Sequence, residues 1–119
     1  MLVNMTGILA KAKREHYGVG FFNAVNVEMA RAVIGTAEEL RAPVIIGTAE
    51  VLLPAMPLER VAEYLIPLAE KASVPVAVHY DHGLTLKNAW KLSGTASARS
   101  CTTAPPPPMR RTSPGSRKW

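Results

Sequence analysis

Along the chain, apolar residues recur first at helical spacing and then in short continuous runs, and the two patterns alternate. In MLVNMTGILAKAKREH, Ile8, Leu9 and Ala12 fall on one face, which predicts a short first helix capped by Asn4 or Thr6 and ended by Gly18. YGVGFFNAV, residues 17–25, reads as a strand. In VEMARAVIGTAEELR, Ala30, Val33, Ile34, Ala37 and Leu40 repeat at helical spacing behind Asn26, and Glu28 lies in the first turn, where the helix dipole favours an acid. PVIIGTAE, from Pro43, is too short for a helix and rich in β-branched residues, so it predicts a strand covered on both faces. Another helix begins near Pro57, a tolerated first-turn position, and shows Leu58, Val61, Ala62, Leu65, Leu68 and Ala69 on one side. Pro67 inside it predicts a kink or a stop, because proline removes one hydrogen bond and crowds the preceding turn. VPVAVHYDHG, residues 74–83, supplies a third strand.

This order of helix, strand, helix, strand, helix, strand, with short connections and doubly covered strands, is that of parallel βαβ units. The class is α/β, as a doubly wound sheet or a (β/α)₈ barrel, and both place their chemistry at the C-terminal ends of the strands. Those ends carry Asn23 and Asn26, then Thr48 and Glu50, then His79, Asp81 and His82. A carboxylate beside an imidazole suits acid–base work, and a neutral imidazole is a common zinc ligand. Structural uses compete with these. Asn26 is placed to cap the helix that follows, Glu50 to sit solvated in a loop, and His79, on the same strand face as Asp81, to serve as a hydrogen-bonded structural group. Strict alternation sends Asp81 and His82 to opposite faces. Both reach one site only if the strand bends into its loop, which Gly83 permits. One histidine does not hold a zinc ion, since a catalytic site takes three protein ligands.

Composition divides the 119-residue chain, which has room for one small domain and is 48% hydrophobic. Residues 1–83 hold all nine acidic residues and seven of the fourteen Lys and Arg, a formal charge of −2. Residues 84–119 hold the other seven basic residues, no acid, and five of the ten prolines. The net charge of +5 therefore belongs to the tail and does not mark a nucleic-acid-binding protein. A single cysteine, Cys101, excludes an intrachain disulfide and a cysteine-built metal site, which fits a cytoplasmic protein. No run approaches the roughly 18 apolar residues of a membrane span. The N-terminus lacks the basic leader and apolar core of a secretory signal, and Lys11, Lys13 and Arg14 read as the solvated face of a short helix.

MLVNMTGILAKAKREHYGVGFFNAVN, AEELRAPVIIGTAE and EKASVPVAVHYDHG resemble the N-terminal third of class II, zinc-dependent ketose-bisphosphate aldolases, over residues 1 to about 85. The start MLVN, the FNxxN element, the APVI strand and the HxDHG strand end occur in that family's order and spacing. The resemblance implies a (β/α)₈ TIM barrel of which this chain supplies an N-terminal helix and three strands. It implies zinc-dependent, reversible cleavage of a fructose- or tagatose-bisphosphate to dihydroxyacetone phosphate and an aldehyde, by a homo-oligomeric parent enzyme with neither nucleic-acid nor membrane partners. His82 matches the first zinc-binding histidine, and Asp81 the aspartate that passes a proton to and from the hydroxyl at the breaking bond. Asn26 matches a substrate-contacting asparagine. Where many relatives put a serine or threonine near the substrate phosphate, this chain has Ala49, with Thr48 beside it as the available hydroxyl. Zinc on the carbonyl and hydroxyl oxygens stabilises the enediolate left by cleavage, and Asp81 does the general acid–base work.

After residue 83 there is no histidine, so the remaining zinc ligands are not in this chain and the fragment alone is expected to be inactive. The segment KNAWKLSGTASARSCTTAPPPPMRRTSPGSRKW has neither helical nor alternating periodicity, and its composition predicts disorder. From Ala89 onward, joining the last base of each codon to the first two of the next permits MEALRNGFSSVMYDCSTAPYEENVTRK. That string patterns as a helix, a strand and an acidic turn, like the family at this point. Residues 86–119 are therefore read as a basic, proline-rich tail produced by a change of frame between about Leu84 and Ala89, after a partial barrel domain over residues 1–85. An alternative of another class uses the same tail. PPPPMR, residues 105–110, fits a PxxPxR ligand for SH3-type grooves, and Arg110, Arg111, Arg117 and Lys118 can meet acidic partners, as in a small non-enzymatic adaptor.

Overall fold

A computed structural model describes residues 1–82. Helix α1 (Met5–Glu15) leads into strand β1 (Phe21–Asn23), helix α2 (Val27–Glu39), strand β2 (Val44–Ala49), a 3₁₀ turn at Glu50–Leu52, helix α3 (Leu58–Lys71) and strand β3 (Val76–Asp81). The strands form one parallel sheet in the order β1-β2-β3. The expected α/β grammar is thus present among the described residues. The tail, with its expected disorder, proline motif and change of frame, lies outside them.

The helix boundaries follow from local chemistry. Asn4 Oδ1 accepts the Thr6 N–H at 2.8 Å and opens α1, so Asn4 and not Thr6 is the cap. Asn26 Oδ1 accepts the Met29 N–H at 2.8 Å and opens α2. Helix α1 has ended before Gly18, as expected: His16 takes the left-handed conformation at φ 54°, and Tyr17 N–H then closes on the Ala12 carbonyl at 3.1 Å. Three expectations are corrected. First, Leu9, expected on the buried face, is 45% exposed, while Ile8 and Ala12 are buried.

Second, β1 covers only Phe21–Asn23 of the nine residues read as a strand. The ladder to β2 extends one bond at each end, Ile45 N–H to the Gly20 carbonyl and Ala24 N–H to the Gly47 carbonyl, and stops where Asn26 turns the chain into α2. Third, α3 runs through Pro67. Pro67 and Glu63, whose carbonyl the proline leaves without its helical donor, both lie on the exposed side, opposite buried Val61, Leu65 and Ala69. The lost bond therefore falls between two exposed residues and not in the core.

Register decides which side chains share a face. Phe21, Ile45 and Ala77 form one row across the sheet, and Asn23, Gly47 and His79 the next. Beyond them Ala49 pairs with Asp81. Ile8 of α1 packs on Ile45 and Ala77, so this is the face that α1 covers at its N-terminal end. The opposite face, through Val44, Ile46, Val76 and Val78, packs on Ala30, Ile34 and Ala37 of α2 and on Val61, Leu65 and Ala69 of α3, and forms the larger core. All six residues of β2 are buried, as a strand covered on both faces requires.

Loops are tied to this frame from both ends. At the N-terminal end of the sheet, Glu38 Oε1 accepts the Ser73 N–H at 2.6 Å and the Ser73 hydroxyl at 3.0 Å, joining α2 to the turn before β3. Those bonds hold the Glu38 carboxyl below its ordinary pKa. At the C-terminal end, the Tyr64 hydroxyl of α3 donates to the Ala24 carbonyl at 3.2 Å, and burial raises its pKa. Ala24 lies between β1 and the Asn26 cap, so Tyr64 pins the loop that presents Asn26.

Candidate active site

Three of the candidate side chains, His79, Asp81 and His82, lie together at the C-terminal edge of the parallel sheet, where β3 runs out. Asp81 is the last residue of β3 and is held in register by Ala49. His82 follows with φ 69°, in the left-handed region. Histidine adopts that region more readily than branched residues do, yet it still costs stability. The turn cancels the alternation that would send the two side chains apart. His82 Nε2 comes to 3.3 Å from Asp81 Oδ2, and the His82 N–H donates to Asp81 Oδ1 at 3.0 Å. The bend expected to depend on Gly83 is thus made one residue earlier, by His82 itself, and Gly83 lies outside the described residues.

His79, two residues back on the same face, places Nε2 at 3.8 Å from Asp81 Oδ1. The Asp81 carboxylate is therefore flanked by an imidazole on each side. Exposure grades outward, from 21% for the His79 side chain through 29% for Asp81 to 64% for His82. The His79 ring is braced by Phe21 in an edge-to-face contact, with centroids 5.4 Å apart and planes at 79°.

Other sequence-derived candidates fall in different places. Asn26 is exposed on the loop after β1, with its carbonyl oxygen committed to the α2 cap. Its amide N–H groups take no part in the cap and can be offered to a substrate. Thr48 shares the parity of Val44 and Ile46, is 3% exposed, and pairs with Tyr80, so it faces the helix layer. The structure does not bring it to the Asp81 face. The residue that faces this way is Ala49, so the Thr48 hydroxyl does not replace a hydroxyl at position 49. Glu50 opens the 3₁₀ turn after β2.

Gly47 was not among the candidates, yet it sets the distance between β2 and β3 at the site. A Cβ built on it would stand 1.8 Å from the His79 carbonyl oxygen and 2.7 Å from the carbonyl carbon. The signal for it was a glycine inside a β-branched strand, which marks close backbone approach. The Phe21 and Tyr64 braces had no sequence signal, since both arise from contacts between elements distant in the chain.

As a metal site the arrangement is incomplete. Among the described residues no group of three or more His, Cys, Asp or Glu is placed to hold a metal ion. His82 is exposed enough to be one ligand, but one imidazole does not satisfy the three-ligand requirement of catalytic zinc. What these residues do provide is a carboxylate held rigidly by a strand end, next to a solvent-facing imidazole. That pair can move a proton at a bound hydroxyl.

Comparison with known proteins places this edge in context. Residues 3–100 match the family model for fructose-bisphosphate aldolase class-II. The fructose-bisphosphate aldolase of Thermus caldophilus is 42% identical over 93 residues, covering 76% of this chain and 30% of the relative. A 6-phospho-5-dehydro-2-deoxy-D-gluconate aldolase from Halalkalibacterium halodurans is 41% identical over 90 residues, or 71% of this chain and 31% of that protein. The crystal structure of the YdjI aldolase from Escherichia coli K12 superposes with a TM-score of 0.72 at 35% identity, over 76% of this chain and 37% of that one. The chain thus spans about a third of the length of the relatives it matches. Its parallel βα units correspond to part of an aldolase TIM barrel. No helix among the described residues is long and apolar enough to cross a membrane. With most of its length matched by the family model, and with relatives above 40% identity, the chain belongs to the class II fructose-bisphosphate aldolase family.

Proposed function

We propose that residues 1–85 are the first third of an enzyme that reversibly cleaves a ketose bisphosphate, of the fructose- or tagatose-bisphosphate type, to dihydroxyacetone phosphate and an aldehyde. One observation carries the reading: the left-handed turn at His82 sets an imidazole and a carboxylate side by side at the C-terminal edge of a parallel sheet. In the proposed reaction Asp81 takes the proton from the hydroxyl at the bond being cleaved and returns it during condensation. His82 is one ligand of the zinc ion, and the other ligands belong to later strands, so residues 1–82 do not turn over substrate by themselves. Asn26 meets the substrate through its amide N–H groups. Thr48 contributes packing under the strand end.

Residues 86–119 are, on this reading, an out-of-frame extension. Sequencing the locus through codon 85 to the next in-frame stop tests it: codons 89 to 118 that do not encode the second string remove the frame change.

The enzymatic reading is tested in a complete barrel, in which residues 1–82 replace the matching segment of the Thermus caldophilus enzyme. Asp81→Ala is expected to lower kcat by about 10²–10⁴-fold with zinc retained, the usual range for a general acid–base group. His82→Ala is expected to lose both zinc and turnover. Unchanged zinc affinity and turnover in His82→Ala would remove that residue from the site, and unchanged kcat in Asp81→Ala would remove the proton-transfer role.

A further inference from the structure

Asp81 has two oxygens, and the surroundings treat them differently. Oδ2 faces the exposed ring of His82 at 3.3 Å, toward the open edge of the sheet. Oδ1 faces inward, taking the His82 N–H at 3.0 Å and lying 3.8 Å from His79 Nε2. A carboxylate on a free Asp side chain rotates about its terminal bond over a broad range. A proton-transfer group has to present one lone pair in one direction; the His82 N–H holds the inner oxygen at one point, and a second contact on that oxygen would fix the carboxylate plane.

The His79 ring is built to do that. Its backbone is fixed by the Gly47 pairing, at which even a methyl group would collide with the His79 carbonyl. Its ring is braced by Phe21 in an edge-to-face contact. Its Nδ1 is buried and has no hydrogen-bond partner among the described residues. A neutral imidazole carries one N–H. Placing that hydrogen on Nδ1 would bury a donor with nothing to receive it and turn the Nε2 lone pair toward a carboxylate. Placing it on Nε2 aims a donor at Asp81 Oδ1. The separation of 3.8 Å is beyond hydrogen-bond length and is an electrostatic contact. Contacts of this kind commonly shorten when substrate closes a site.

We propose that His79, as the Nε2–H tautomer, is a positioning residue that holds Asp81 Oδ1 and so leaves Oδ2 directed at the reacting hydroxyl. This deepens the aldolase reading and rests on it for the identity of that hydroxyl. The tautomer and the orientation of Asp81 stand independently of it.

The test has two readouts. In the 119-residue chain with ¹⁵N-labelled histidine, long-range ¹H–¹⁵N correlations report which ring nitrogen carries the hydrogen. An Nε2–H pattern at His79 is expected, and an Nδ1–H pattern overturns the proposal. In the complete barrel, His79→Leu fills the space without a donor, and His79→Gln restores an N–H near the Nε2 position. Misplacing a catalytic group by about 1 Å costs on the order of a hundredfold. His79→Leu is therefore expected to lower kcat by about a hundredfold with KM and zinc content unchanged, and His79→Gln to recover most of that loss. A merely structural role predicts equal loss in both variants, with altered KM or zinc content, and that result overturns the proposal, as does full kcat in His79→Leu. If the barrel with native His79 shows no aldolase turnover, the functional reading fails, and the tautomer still decides the role of His79.

Discussion

Asn26 serves two proposed roles with different atoms, and that makes them separable. Its carbonyl oxygen accepts the Met29 N–H at 2.8 Å and caps α2. Its amide N–H groups are the part offered to substrate. Asn26→Asp keeps an accepting oxygen at the cap and adds a negative charge at a helix N-terminus, where charge of that sign is stabilising. Asn26→Ala removes acceptor and donor together. Truncating a cap costs about 1 kcal/mol, which in a domain of this size lowers Tm by about 4–8 °C. Losing one hydrogen bond to a charged group costs about 1.5–3 kcal/mol, or roughly 10–160-fold in kcat/KM. A carboxylate facing an anionic sugar bisphosphate adds repulsion to that loss. Thermal denaturation of the 119-residue chain should therefore show Asn26→Asp level with the native protein and Asn26→Ala several degrees lower. Turnover in the complete barrel should fall in both. Undiminished kcat/KM in Asn26→Asp would refute the substrate role, and a native Tm in Asn26→Ala would refute the cap as a source of stability.

Gly47→Ala sets a Cβ 1.8 Å from the His79 carbonyl oxygen, and because the obstacle is backbone, the β2–β3 ladder must part. The expected cost is about 3 kcal/mol or more, at the upper end of overpacking, together with loss of the Nε2–H pattern at His79; urea unfolding at native stability would contradict the close approach. Arg41 ends α2 at φ 51°, with the Arg41 N–H to the Glu38 carbonyl at 3.1 Å and the Ala42 N–H to the Ala37 carbonyl at 2.9 Å. Arg41→Gly, which relieves the left-handed penalty, should raise stability by about 0.5–1 kcal/mol by the same measurement. The Glu38 carboxyl is held below its ordinary value of 4.5 by the Ser73 backbone N–H first and the Ser73 hydroxyl second. Its contribution is present above that value and is lost as pH falls through the lower folded pKa. Glu38→Gln should flatten the acid limb of the stability profile between those two values, and an unchanged limb would count against the bond.

What could be read in the chain beforehand has a physical boundary. The helices showed their apolar stripes because each has one solvated face, and the Asn26 cap was legible because capping is local. In PVIIGTAE both faces are buried, so no polar alternation reveals which side a residue faces. The reading of Thr48 as a substrate group therefore had no way to see that Ala49 shares the Asp81 face. Only pairing with β3, more than 20 residues away in sequence, settles it. The helix continues through Pro67 for a related reason. Its penalty depends on which side of the helix loses its donor, and exposure at Glu63 and Pro67 makes that loss harmless.

The order of the two residues at the end of β3 follows from the same physics. Asp81 is the last residue on the ladder, so its Cα is fixed by Ala49 and its carboxylate inherits the rigidity of the sheet. His82 is the first residue off the ladder and pays for its place with a left-handed φ of 69°. Reversing them would put the imidazole on the strand and the carboxylate on the turn. A general base gains most from fixed direction, because proton transfer falls off steeply with misalignment. A metal ligand must meet an ion whose position is also set by groups from other elements, so some freedom at that ligand is an advantage. The two histidines divide the same way. His79 lies on the strand, packed by Phe21 and 21% exposed, while His82 lies beyond it, 64% exposed. Alternation alone would have separated Asp81 from His82. One residue of left-handed backbone brings them together while leaving Asp81 on the strand and His82 exposed beyond it, as their proposed roles require.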